Sequence, residues 1–220
     1  SMGLPVNKFI CASNDNKVLT DFLATGEYDI NREFKKTISP SMDILISSNL
    51  ERFLFEMTGH DADKINEWYQ QLQQEGKFEI DEKTKEKIND LFVGDYATEA
   101  ETKATIKEVY ENNDYLLDPH TAVGVKSYQK VLAELSEEKI AVIDSTANPY
   151  KFSRAVLEAL TGETREDKDD FAVLEELEEL SGQEVHRALK GLDAREILHQ
   201  RNCTSSDIKE EIKDILDLNQ

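Results

Sequence analysis

The run Ser39-Pro-Ser-Met-Asp-Ile-Leu-Ile-Ser-Ser-Asn-Leu-Glu-Arg-Phe-Leu-Phe-Glu-Met57 changes character halfway along. Proline at 40 disfavours helix at the residue before it, so Ile38–Pro40 reads as extended. A helix then starts near Ser48-Asn49 and carries Leu50, Phe53, Leu54 and Met57 on one face, with Gly59 as its stop. Ser41, Asp43, Asn49 and Arg52 are the polar residues left among apolar neighbours. The planar fork of Arg52 suits a phosphate or a carboxylate. The same side chain could instead pair with Glu56, one turn later on the helix.

On the N-terminal side, Lys8–Ser13 is a short apolar run closed by Asn14-Asp15-Asn16, the pattern of a buried strand feeding a helix N-cap. The helix Val18–Ala24 ends at Gly26, a residue suited to a left-handed cap. Strand, turn and helix make half of a βαβ unit with no preceding partner strand, as expected of a chain that starts partway through a fold. Downstream, helices are expected over Asp61–Gln74 (Ile65, Trp68, Tyr69 and Leu72 inward) and over Asp81–Phe92, with Gly94 as the stop. Another opens at Thr98, with Ile106, Val109 and Tyr110 on its buried side. His120–Glu134, preceded by Pro119, is a helix leading into Lys139–Ile143, the second confident strand. Asp144–Pro149 is then a polar turn and Phe152–Leu160 the returning helix. The remainder reads as helical and acidic, broken at Gly182 and Gly191, and closes with Ile208–Leu218. The class is α/β, with two or three strands among about eight helices. Residues 1–162 form one expected domain and 163–220 an acidic helical region.

Open α/β sheets collect ligands at the carboxyl ends of their strands. Both expected strands deliver polar turns there, one with Asn14 and Asn16, the other with Ser145 and Thr146. Each turn also reads as a plain helix cap. His120 follows Asp118-Pro119 at a helix start and suits either a cap or a site role. Lys151 is either an anion contact or a surface lysine. His60, His186 and His199 look structural, and no second His stands at the i,i+4 spacing of a helical metal site.

The Ser39–Met57 run resembles a segment of bacterial threonine synthase. Leu117-Asp-Pro-His-Thr-Ala-Val-Gly124 and Asp144-Ser-Thr-Ala-Asn-Pro-Tyr-Lys-Phe152 agree with that family in order and spacing. The resemblance implies the helix-rich C-terminal part of a fold-type II pyridoxal-phosphate enzyme with an incomplete sheet of few strands. It implies O-phospho-L-homoserine as substrate, and water and that substrate giving L-threonine and phosphate. It places Thr146 on the pyridine nitrogen beside Ser145; many relatives carry His where Asn148 stands. Substrate contacts would come from among Asn14, Asn16, Ser41, Asp43, Asn49, Arg52, His120 and Lys151. The family's Schiff-base lysine follows Phe in a Pro-Thr-x-x-Phe-Lys-Asp context, which Phe34-Lys35-Lys36 does not match. The nine glycines are scattered singly, so there is no Gly-rich phosphate loop. The expectation is a C-terminal portion without catalysis of its own, with the missing N-terminal portion of the same enzyme as partner. Alternatives are a non-catalytic acidic helical interaction module and a different pyridoxal-phosphate lyase, such as a threonine dehydratase relative.

Composition narrows the classes further. A net charge of -20 over 220 residues argues against nucleic-acid binding, which needs clustered Lys and Arg. No apolar run approaches the roughly 20 residues of a membrane span, and no basic and apolar leader opens the chain. Ser1-Met2 looks like a cloning scar or a truncation point. Cys11 and Cys203 make neither a disulfide framework nor a zinc pattern, which fits the cytoplasm.

Overall fold

β1 (Phe9–Ser13) lies parallel to β4 (Phe92–Tyr96), with Phe9 opposite Phe92 and Ser13 opposite Tyr96. The structure is a computed structural model that describes residues 3–134 and 140–218. Parallel strands need a long crossover, and here it comprises everything from α1 (Val18–Thr25) to the helix before β4. Within it, β2 (Glu27–Asp29) pairs antiparallel with β3 (Lys77–Glu79), placing Tyr28 opposite Phe78. Between those two come α2 (Leu50–Met57) and α3 (Ala62–Glu75), and after them α4 (Glu82–Asn89).

The small antiparallel pair is held by its aromatic face. Tyr28 and Phe78 stack with centroids 5.5 Å apart, Trp68 of α3 stacks on Phe78 at 6.0 Å, and Phe22 of α1 meets Tyr28 edge-on at 5.7 Å. All four are buried, along with Leu54, Ile65 and Leu72. On the outer face, Lys77 pairs with Glu27 at 2.9 Å.

A second layer follows, made of α5 (Glu99–Asn113), α6 (Pro119–Glu134), α7 (Ser153–Thr161) and α8 (Asp170–Ser181). Ile106, Val123, Val156, Leu157, Val173 and Leu177 are its buried contacts. α6 packs on both β1 and β4, which joins this layer to the parallel pair. Thr98 starts α5 with a complete capping box, each partner of Thr98 and Glu101 satisfying the other's backbone N–H.

Several sequence expectations are corrected. The helix expected over Asp81–Phe92 stops at Asn89, and Gly94 is the middle of β4, not a helix stop. A Cβ on Gly94 would come within 2.9 Å of the Thr20 Cα, so glycine is what lets α1 lie against the strand. Ile140–Ile143 has no strand pairing; Ile140 is fully exposed and Val142 is 87% exposed. Lys139, the start of that expected strand, lies outside the described residues. Val109 and Tyr110 are half-buried; Ile106 is fully buried. Asn14 and Asn16 do not cap α1: the cap position is Lys17, in left-handed backbone with no side-chain cap bond.

The chain divides into two compact units, residues 1–186 and 187–220. Residues 183–207, expected as helix, contain no regular helix, and α9 (Ile208–Ile215) is the helix described in the second unit. Ile208, Ile212 and Ile215 are about half exposed there, and Arg201 pairs with Glu211 and Asp214 at 3.0 and 2.8 Å. No helix among the described residues is long and apolar enough to cross a membrane.

Candidate functional site

The carboxyl end of β1 is tied to the segment after β2 by a buried amide and hydroxyl network. Asn14 Nδ2 donates to Asp43 Oδ1 at 2.7 Å, and lies within 2.9 Å of Thr37 Oγ1 and 3.1 Å of Ser39 Oγ. Asn16 Nδ2 donates to the Lys35 carbonyl at 2.9 Å, and its Oδ1 accepts from the Lys35 N–H at 2.9 Å. Asp43 also accepts from the Thr37 N–H at 2.9 Å and the Thr37 hydroxyl at 2.7 Å. Asn14 and Asn16 are only 2% and 3% exposed, so both amides are spent on this clamp. Its product is a fixed 3₁₀ turn, Pro40–Met42, beside β1.

That turn meets α6. The Ser41 N–H donates to His120 Nε2 at 3.1 Å. A backbone N–H can only donate, so Nε2 accepts and the imidazole proton sits on Nδ1. From there it is donated to Asp118 Oδ1 at 2.9 Å. The Asp118 carboxylate also accepts from the His120 N–H at 2.9 Å and from the Thr121 hydroxyl. Burial works against its charge, but the bonds from His120 and Thr121 outweigh that and hold the Asp118 carboxyl below the usual carboxylate range. Thr121 Oγ1 lies 3.0 Å from Ser145 Oγ, and the His120 ring packs on Phe152 with centroids 4.6 Å apart.

The other sequence candidates stand apart from this cluster's bonds. Thr146 is exposed. Arg52 donates to the Asn49 side-chain oxygen, whereas Glu56 lies beside His60. Arg52 borders a hollow of about 460 Å³ with Phe55 and Ile65. Lys151 is exposed, its Nζ 5.7 Å from the centroid of Phe152. A smaller hollow of about 170 Å³ lies between Ser13, Asn16, Lys17 and Ser41. Being at the end of β1, it occupies the position where such sheets receive ligands.

Sequence reasoning missed Asp118, Thr121, Thr37 and Lys17. Asp118 carried a readable signal, since Asp-Pro before an apolar helix is a common N-terminal signature. Lys17 carried none: its left-handed backbone and its place on the hollow appear only with the fold.

Residues 121–201 match the family described as "Threonine synthase, C-terminal". The chain is 35% identical to the threonine synthase of Saccharomyces cerevisiae over 221 residues, covering 94% of this chain and 43% of that protein. The crystal structure of threonine synthase from yeast superposes with a TM-score of 0.81 at 31% identity, covering 99% of this chain and 43% of that one. The chain is homologous to the C-terminal portion of threonine synthases. A threonine synthase structure from Brucella melitensis, described as bound to pyridoxal phosphate, is 43% identical with a TM-score of 0.67, covering 74% of this chain and 34% of that one. Human threonine synthase-like 1 is 44% identical over 162 residues, 72% of this chain and 21% of that protein. The chain thus spans less than half the length of each threonine synthase relative named. Residues from all three stretches that resemble the threonine synthase family meet at His120: Ser41, Asp118 and Phe152.

Proposed function

We propose that this chain is the C-terminal part of a pyridoxal-phosphate-dependent threonine synthase, a lyase that turns O-phospho-L-homoserine and water into L-threonine and phosphate. The observation that carries this reading is the meeting at His120 of three stretches far apart in sequence. Residues 1–162 would supply the remaining cofactor and substrate contacts, with 163–220 as an acidic helical region. The work belongs to threonine biosynthesis in the cytoplasm, a setting that two free cysteines fit.

The residues present fit one end of the cofactor only. Thr146 and Ser145 supply hydroxyls for the pyridine nitrogen. Thr121 Oγ1 donates to Asp118 and stands 3.0 Å from the Ser145 hydroxyl, so Ser145 is engaged with the buried cluster. Thr146, exposed beside it, is the hydroxyl this reading assigns to the ring nitrogen. For the phosphate end there is no match: Gly26, Gly76, Gly162 and Gly182 are spent as helix C-caps, and none is joined to another in a loop.

What the chain's own residues do is hold geometry. The Asn14–Asp43 clamp fixes the turn that presents Ser41, and the hollow beside it offers Lys17 to an anionic substrate group against a strongly negative whole. Asn49 with Arg52 offers a second cationic fork. The rest of the enzyme, as partner, would supply the lysine and the phosphate loop. Phosphate release from O-phospho-L-homoserine tests the reading. The purified chain alone should show none above background, and an enzymatic rate would refute the division of labour.

A further inference from the structure

We propose that Asp118 is a positioning residue that couples the Ser41 turn to the Ser145–Thr146 turn, so that the two behave as one rigid unit. Capping α6 would require only that the carboxylate accept backbone N–H bonds, which it does from His120 at 2.9 Å and Thr121 at 3.4 Å. It does more than that. Its side chain is wholly buried, and it takes two side-chain donors that each reach onward. His120 Nδ1 donates inward at 2.9 Å, and Nε2 receives the Ser41 N–H at 3.1 Å. Thr121 Oγ1 donates inward to the carboxylate, and Ser145 Oγ stands 3.0 Å from it on the outer side.

One carboxylate therefore fixes the tautomer of an imidazole and the proton of a hydroxyl at once. Bonds to a charged acceptor are about twice as strong as neutral ones, and bonds that share a buried group are not independent. The two onward contacts span 79 and 24 residues of sequence, so no local structure would otherwise link them. Losing the Thr121 hydroxyl strips Oδ2 of its partner while Oδ1 keeps the His120 ring and the backbone N–H groups, so the carboxylate can turn about Oδ1 and loosen the imidazole limb. The bearing on catalysis rests on the reading of Thr146 as the ring-nitrogen donor, but the coupling itself is measured without any cofactor.

The test is amide hydrogen exchange and long-range imidazole ¹H–¹⁵N spectra on the labelled chain. In the parent chain His120 should be the Nδ1–H tautomer; the Nε2–H tautomer would overturn the proposal. Thr121→Val removes only the hydroxyl on the Ser145 side. It should also lower the protection of the Ser41 amide about three- to ten-fold, the net worth of one hydrogen bond. Any change is read relative to the Ile106 and Leu177 amides, which report general loosening. Thr121→Ser should restore the Ser41 protection. Unchanged or increased Ser41 protection in Thr121→Val, relative to those core amides, would mean that the limbs are independent and Asp118 is only a cap.

Discussion

At the scale of single residues, Asp118 is the most consequential group of the candidate site. Its ordinary carboxyl value is 3.8, and in the folded chain it lies lower. A lowered folded value means that the charged form stabilises the fold at any pH above about 4, and that this contribution is lost as pH falls through the folded value. Asp118→Asn removes the titration while keeping the size. The thermal midpoint of the parent chain should therefore fall more steeply between pH 5 and pH 2.5 than that of the variant, in a calorimetric series spanning roughly those values. Parallel curves would show that Asp118 contributes nothing to acid lability. Little of this was legible beforehand. Asp118 reads as a cap because its neighbours in sequence are a proline and a helix, whereas Ser41 and Ser145, the partners of His120 and Thr121, arrive through the fold. Asn14 and Asn16 were read as candidates from their place after a strand, and their amides turn out to hold the Lys35–Asp43 segment.

At the scale of elements, long periodic helices were legible and short strands were not. α3 is close to its expected span, because Ile65, Trp68 and Leu72 recur at helical spacing and all are buried. β2 and β3 have three residues each, too few for alternation to show. β4 was hidden by Gly94, since glycine within a strand reads as a stop unless close backbone approach is known. Gly94→Ala should cost about 1–3 kcal/mol in urea unfolding, because the contact it creates is with the backbone of α1 and not with a flexible side chain. A loss under a few tenths would mean that α1 gives way freely. Thr98→Ala breaks the capping box of α5 and should cost about 1 kcal/mol. The apolar run at Ile140–Ile143 misled for another reason. Apolar β-branched sequence indicates burial in a sheet, but among the described residues Ile140–Ile143 pairs with no strand.

At the scale of the whole molecule, charge is the dominant fact. A chain of net -20 repels itself and any phosphate-bearing ligand, so local cations such as Lys17 have to act at short range. The excess is unevenly placed: residues 187–220 carry six Lys or Arg against seven Asp or Glu, so nearly all of it falls in the first unit. Added sodium chloride should raise the thermal midpoint between about 0.01 and 0.15 M, as the screening length shortens from roughly 30 to 8 Å. A falling midpoint would show that paired charges, such as Arg165 with Glu176, outweigh the repulsion. The family was legible from three short stretches, and the fold explains why these travel together: they meet at one imidazole. On the proposed reading, this chain holds part of a pyridoxal-phosphate site without its covalent lysine. Titration of the purified chain with pyridoxal phosphate, followed by borohydride reduction and peptide mapping, tests it most directly. No reducible aldimine should form at any unique lysine; one stoichiometric aldimine at a single lysine would overturn that reading.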